Sequence, residues 1–119
     1  MGIKLLHSDI VAKLRKPGKD ILLSMTEQNM DLTHMAIGVS GEAGELLDAI
    51  KKVTIYNKEI DRKNVIEELG DIEFYLAGIR QCLGITRKAT LEANVHKFSV
   101  RYKDFKYSDK QAQDRADKQ

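Results

Sequence analysis

The chain has one proline, one cysteine and no tryptophan, and aromatic residues make up only 6% of it. A lone cysteine, Cys82, cannot close an internal disulfide, which excludes a disulfide-stapled scaffold. We read it as a buried thiol of a reducing compartment. No apolar run approaches the ~20 residues of a membrane span, so no membrane association is expected. The opening "MGIKLLHSDIVAKLRK" has too short an apolar core for a signal peptide, and the expected location is the cytoplasm. Neither sign of charge dominates, since the formal net charge is +2, so the composition gives no sign of nucleic-acid binding. What remains is 119 residues, 42% hydrophobic and 32% charged, the composition of a soluble globular protein of one domain, residues 1–119.

The scarcity of proline leaves long stretches free to be helical. Pro17, in "RKPGKD", separates a helix over residues 3–15 from a short one running to about Met25. Thr26 is a candidate N-cap for a long helix to about Val53, with Gly38, Gly41 and Gly44 inside it as candidate kink sites. "TIYNKEI" reads as a loop. Asp61 caps a helix from Arg62 to Leu83, stopped by Gly84, and Thr86 caps a last helix to about Tyr102. No stretch reads as a strand and no repeat is present. The predicted class is all-α, an antiparallel bundle of four to five helices. Residues 1–16 form a preceding helix, and residues 107–119 a polar tail.

Two of these helices carry acids where apolar residues belong. At about 100° per residue, Val39, Ala43, Leu46, Leu47, Ala49 and Ile50 form one stripe; Glu42 falls inside it and Glu45 on its rim. On the next helix the stripe is Val65, Leu69, Ile72, Tyr75, Leu76, Ile79 and Leu83, with Glu68 inside and Asp71 on the rim. None of the four acids has a Lys or Arg three or four residues away, whereas Asp48, Glu67 and Glu92 do. A single pair of acids at this spacing is ordinary solvated surface. Two pairs at matching angles on adjacent helices suggest a site for a hard divalent cation, Mg²⁺ first and Mn²⁺ second. A di-iron bundle would want Glu-x-x-His, which is absent. His7, His34 and His96 form no zinc-type cluster.

The last helix offers what such a cation could help to hold. Leu91, Val95, Phe98 and Tyr102 make its apolar stripe, and Asn94, Lys97 and Arg101 follow along one flank. Alone this would be a solvated basic face. Beside an acidic metal cluster it reads as a phosphate-binding edge. Further back, Asp31, His34 and Met35 lie near the face of Glu42 and could line a base pocket, with Gly38 and Gly41 leaving room. The competing reading makes Met35 core and Asp31 a helix-start acid. Lys52 and Tyr56 could reach phosphates from the following loop, or simply be solvated.

At this point the residues resemble a known family. The pattern Glu42-Ala43-Gly44-Glu45, a spacer of residues 46–67, then Glu68-Leu69-Gly70-Asp71 is similar to that of the all-α nucleoside triphosphate pyrophosphohydrolases, the MazG-like superfamily. "GEAGELLDAIKK", "EELGDIEFYL" and, downstream, "NVHKFSVRY" with Asn94, Lys97, Arg101 and Tyr102 carry the resemblance, which extends over about residues 19–117. It implies conversion of an NTP to NMP and pyrophosphate, Mg²⁺ ligation and catalysis by Glu42, Glu45, Glu68 and Asp71, and nucleotide contacts by Asn94 and Lys97. Many relatives place a further acid just before the first motif Glu. Here that position is Gly41, which leaves the general base to a motif carboxylate or to Glu67. The resemblance also implies a four-helix core completed by a second subunit, as a homodimer or a dimer of dimers. Alternatives within reach of the same residues are a phosphoribosyl-ATP pyrophosphohydrolase and a non-catalytic helical interaction module.

Overall fold

The computed structural model describes residues 3–119, and its described residues are all helix, turn and loop. The chain runs through α1 (Ile3–Leu14), α2 (Gly18–Ser24), α3 (Glu27–Thr54), α4 (Arg62–Leu83), α5 (Arg87–Arg101), a 3₁₀ turn (Lys103–Phe105), α6 (Asp109–Asp114) and a second 3₁₀ turn (Ala116–Lys118). The all-α prediction holds. No helix among the described residues is long and apolar enough to cross a membrane.

Helix ends fall where local chemistry puts them. Thr26 Oγ1 accepts the Asn29 N–H at 3.1 Å, Asp61 Oδ1 that of Asn64 at 3.1 Å, and Thr86 Oγ1 that of Ala89 at 3.0 Å. Each satisfies a first-turn donor that has no partner inside its helix. At the far end of α4, Gly84 adopts φ 66°, and the Ile85 N–H returns to the Arg80 carbonyl at 2.9 Å. This is the left-handed stop that glycine makes without strain. The glycines of α3 do not break it; the helix is continuous over 28 residues.

Two compact units divide at residue 31, inside α3. The first contains α1, α2 and the start of α3. Pro17 introduces α2, its carbonyl accepting the Asp20 and Ile21 N–H groups. The second, Leu32–Gln119, contains the rest.

The second unit is built on an antiparallel hairpin of α3 and α4. Half-buried positions on α3 are Leu32, Met35, Gly38, Val39, Glu42, Leu46 and Val53, with Ala49 buried among them. On α4 they include Val65, Glu68, Ile72, Tyr75, Ile79 and Cys82. Gly38 apart, the α3 series advances by alternating steps of three and four, the period of a coiled-coil seam, and the α4 series does so as far as Tyr75, beyond which residues 75–80 are all half-buried. Around the acids and along α3 the seam is therefore narrower than the broad stripes expected from the sequence. Ala43, Leu47 and Ile50 on α3, and Leu69 and Leu83 on α4, lie exposed beside it.

Two glycines set the helix separation. A Cβ at Gly38 would collide with the ring of Tyr75, and one at Gly78 with Sδ of Met35. Each helix thus lends a bare backbone to a large side chain of the other. The space at Gly38 takes the Tyr75 ring, not a ligand.

Gly38→Ala is expected to lower stability by about 1–2 kcal/mol, because overpacking costs ~1–3 kcal/mol and alanine's helix propensity returns up to ~1. Gly44 has nothing within 4 Å of such a Cβ. Gly44→Ala should therefore stabilise by up to ~1 kcal/mol. Urea unfolding followed by circular dichroism checks the opposite signs.

Candidate metal centre

The register of the hairpin decides which acids meet. Met35 lies against Gly78 and Gly38 against Tyr75. One further step along α3 reaches Glu42, and one step back along α4 reaches Asp71 and Glu68. Carboxylate oxygens of Glu42, Glu68 and Asp71 all lie within 4.8 Å of one another. Glu42 and Glu68 occupy seam positions and are half-buried, while Asp71 is exposed at the rim.

Glu68 is the strained member. Its Oε2 is buried with no hydrogen-bond partner. Burial, the hydrogen bond and charge of Glu42, and the charges of Asp71 and Glu45 all push its pKa above the usual glutamate value of 4.5. Every group acting on it is an acid, and none comes from α5. A buried oxygen without a donor, facing two more carboxylates, is matched to a cation. Oxygens this close can share one hard divalent ion at its usual ~2.0–2.6 Å ligand distances with little movement.

The other residues singled out in the sequence are placed as follows. Glu45 is exposed and stands outside the three-acid cluster, near enough to act on Glu68 by charge. Asp31, His34 and Lys52 are exposed. Met35 is half-buried on Gly78, as its core reading required. Tyr56 is exposed, with the Lys51 ammonium 5.9 Å from its ring centroid.

The α5 flank is organised by the segment that follows it. Asn94 is exposed, and the half-buried Lys97 holds its ammonium 5.9 Å from the Phe98 ring centroid. Tyr102 makes tilted ring contacts with Phe98 and Tyr107, with ring centroids 5.9 Å and 5.8 Å away. Arg101 is not a free cation. Its Nε donates to Asp117 Oδ1 at 2.7 Å and its Nη2 to Oδ2 at 3.2 Å. The hydrogen bonds hold the Asp117 pKa below the usual aspartate range and keep Arg101 protonated.

The sequence reading passed over this folded segment. Its signal was the Ser108-x-x-Gln111 spacing of a capping box. In the structure Ser108 Oγ accepts the Gln111 N–H at 3.0 Å and opens α6. Gln111 Oε1 in turn accepts the Lys103 N–H at 3.2 Å.

A family model described as the MazG nucleotide pyrophosphohydrolase domain matches residues 31–105, which include all four motif acids and the α5 flank. No curated protein and no solved structure matches the chain.

In metal-free buffer the raised pKa of Glu68 works against the fold. The neutral form is the favoured one when folded, so stability falls as pH climbs through and above 4.5. Glu68→Gln is expected to raise the metal-free melting temperature at pH 7–8 and to leave it unchanged at pH 4. Added Mg²⁺ should then stabilise the wild type and not the variant. Differential scanning fluorimetry at both pH values reads all three.

Proposed function

Since the chain belongs to the MazG nucleotide pyrophosphohydrolase domain family, we propose that it is a Mg²⁺-dependent nucleoside triphosphate pyrophosphohydrolase. It would take an NTP or dNTP and water to the monophosphate and pyrophosphate, a cytoplasmic nucleotide-pool reaction. The observation that carries the reading is the donorless oxygen of Glu68 inside a three-carboxylate cluster.

Glu42, Glu68 and Asp71 would hold the ion, Mg²⁺ by preference and Mn²⁺ as a substitute, since all three offer hard oxygen ligands. When bound, such an ion supplies stabilisation of phosphate charge and acidifies water. Glu45, exposed and outside the cluster, is the motif carboxylate left to complete the ligand set and accept a proton, which Gly41 cannot do. Lys97 would neutralise phosphate oxygens and Asn94 hydrogen-bond the nucleotide, while Arg101 and Tyr102 shape that edge from their anchored positions.

A second subunit completes this reading. Leu47, Ile66 and Phe74 lie on faces of α3 and α4 turned away from their mutual seam and are each about two-thirds exposed (67%, 68% and 66%). Exposed apolar residues on the outer faces of both helices of a hairpin suit a self-complementary two-fold contact. The chain would work as a homodimer or a dimer of dimers, with four helices at its core. Phe74→Asp is expected to shift the species seen by light scattering at micromolar concentration toward the 13.5 kDa of one chain. A wild type that already has that mass and full activity would overturn the assembly.

Turnover of an NTP and dNTP panel with Mg²⁺, resolved by anion-exchange chromatography, tests the reaction. Equal amounts of monophosphate and pyrophosphate are expected. Diphosphate with orthophosphate would place the cleavage at the wrong bond, and no turnover of any nucleotide would favour a binding module. Glu42→Gln and Asp71→Asn should each lower turnover by more than the ~10–100-fold typical of second-shell changes, with helicity retained.

A further inference from the structure

Outside the acid cluster, the most organised polar arrangement lies between α5 and the second 3₁₀ turn. The Arg101–Asp117 pair joins residues sixteen apart with two roughly parallel hydrogen bonds, and its side chains are only 13% and 7% exposed. The pair returns Ala116–Lys118 onto the C-terminal half of α5. An open cleft of about 330 Å³ lies where they meet, lined by His96, Lys97 and Val100 of the helix and by Ala116, Asp117 and Lys118 of the turn. That volume is at the low end of ligand pockets, ~300–1,000 Å³, and suits a polyphosphate better than a whole nucleotide.

The charges in the cleft are not balanced. The Asp117 carboxylate already has both oxygens on Arg101. Lys97 from the helix, whose charge also helps to hold the Asp117 carboxylate ionised, and Lys118 from the turn stand as cations on its two walls, with His96 also in the lining. A guanidinium holding a carboxylate with two donors is also poorly free to grip a phosphate.

We propose that the Arg101–Asp117 pair is a latch that holds Lys118 against the Lys97 flank of α5. Lys118 is then a second polyphosphate-binding cation, and Arg101 is a positioning residue that touches no substrate. This rests on the assignment of Lys97 to phosphate above, and the sign of one substitution separates it from direct contact. If Arg101 gripped phosphate itself, removing the charge of Asp117 would free it and tighten binding. A latch predicts the reverse.

The test is calorimetric binding of inorganic tripolyphosphate to the full chain, together with steady-state KM and kcat for the preferred nucleotide. Asp117→Asn and Lys118→Ala should each weaken tripolyphosphate and raise KM by about three- to five-fold, the range of a partly exposed ion pair, with kcat within two-fold. The double variant should be no worse than either single one, because the latch acts through Lys118. Arg101→Lys should fall between wild type and Asp117→Asn. Tighter tripolyphosphate binding by Asp117→Asn would overturn the latch. So would unchanged binding and KM in Lys118→Ala while Lys97→Ala is impaired, an outcome that leaves the Lys97 assignment standing. Unchanged binding and KM in Lys97→Ala would remove that assignment and the latch together. Should Asp117→Asn lose helicity, Lys118→Ala, altering an exposed side chain, decides alone.

Discussion

Two carboxylates share the seam of one helical hairpin, and that conflict organises the second unit. At Glu42 and Glu68 the repeating apolar positions of α3 and α4 are given to acids. An apolar residue at either place would extend the seam; an acid there shortens it and leaves an oxygen of Glu68 with no donor. Removing one acid relieves repulsion, but on the proposed reading it also removes a metal ligand. The hairpin is thus less stable than its packing would allow, and an ion bound as proposed above would make folding and ion binding linked equilibria.

The surrounding packing fixes how severe that conflict is. Gly38 and Gly78 admit Tyr75 and Met35 from the facing helix, on the side of the acids toward the α3 start and the α4 end. On the other side lies Ala49, at 9% exposure the only hydrophobic residue classed as buried among the described residues. Small residues thus bracket the acids, and the close approach they permit brings oxygens from opposite helices within 4.8 Å. Larger side chains at these points would wedge the helices apart and spread the ligands before touching any of them. In the proposed metal site, specificity for a small hard ion would therefore reside partly in glycines that never meet it.

How much of this was legible in the sequence follows from the range of each interaction. Asp61, Thr86 and Gly84 mark their helix ends because a cap is settled within four residues. The acids could be placed by angle alone, because seam and rim repeat every turn. The width of the buried face could not. Leu47 and Ile50 share an apolar stripe with Leu46 and Ala49, yet only the latter two are drawn in. A face is buried by its neighbour, and a stripe in one helix does not state how many neighbours it has. The segment after α5 was read as a polar tail for the same reason. Its hold on the fold is Asp117 on Arg101, a pairing across sixteen residues that no local pattern announces.

That long-range pair changes how the basic flank of α5 should be understood. Read along the helix, Asn94, Lys97 and Arg101 look equivalent, three polar groups on one edge. In the fold they differ in what already holds them. Asn94 is exposed, Lys97 rests near Phe98, and Arg101 has both prongs on a carboxylate. Tyr102 is likewise occupied, in tilted ring contact with Phe98 and Tyr107. The Arg-Tyr end of the flank thus anchors the return of the chain, while the Asn-Lys end stays open to a ligand. Spending the arginine on structure is chemically sensible. A guanidinium binds a planar carboxylate through two fixed donors and keeps its charge at any ordinary pH, so it makes the better hinge pin. A lysine, with one mobile charge, adapts better to phosphate oxygens that move during a reaction.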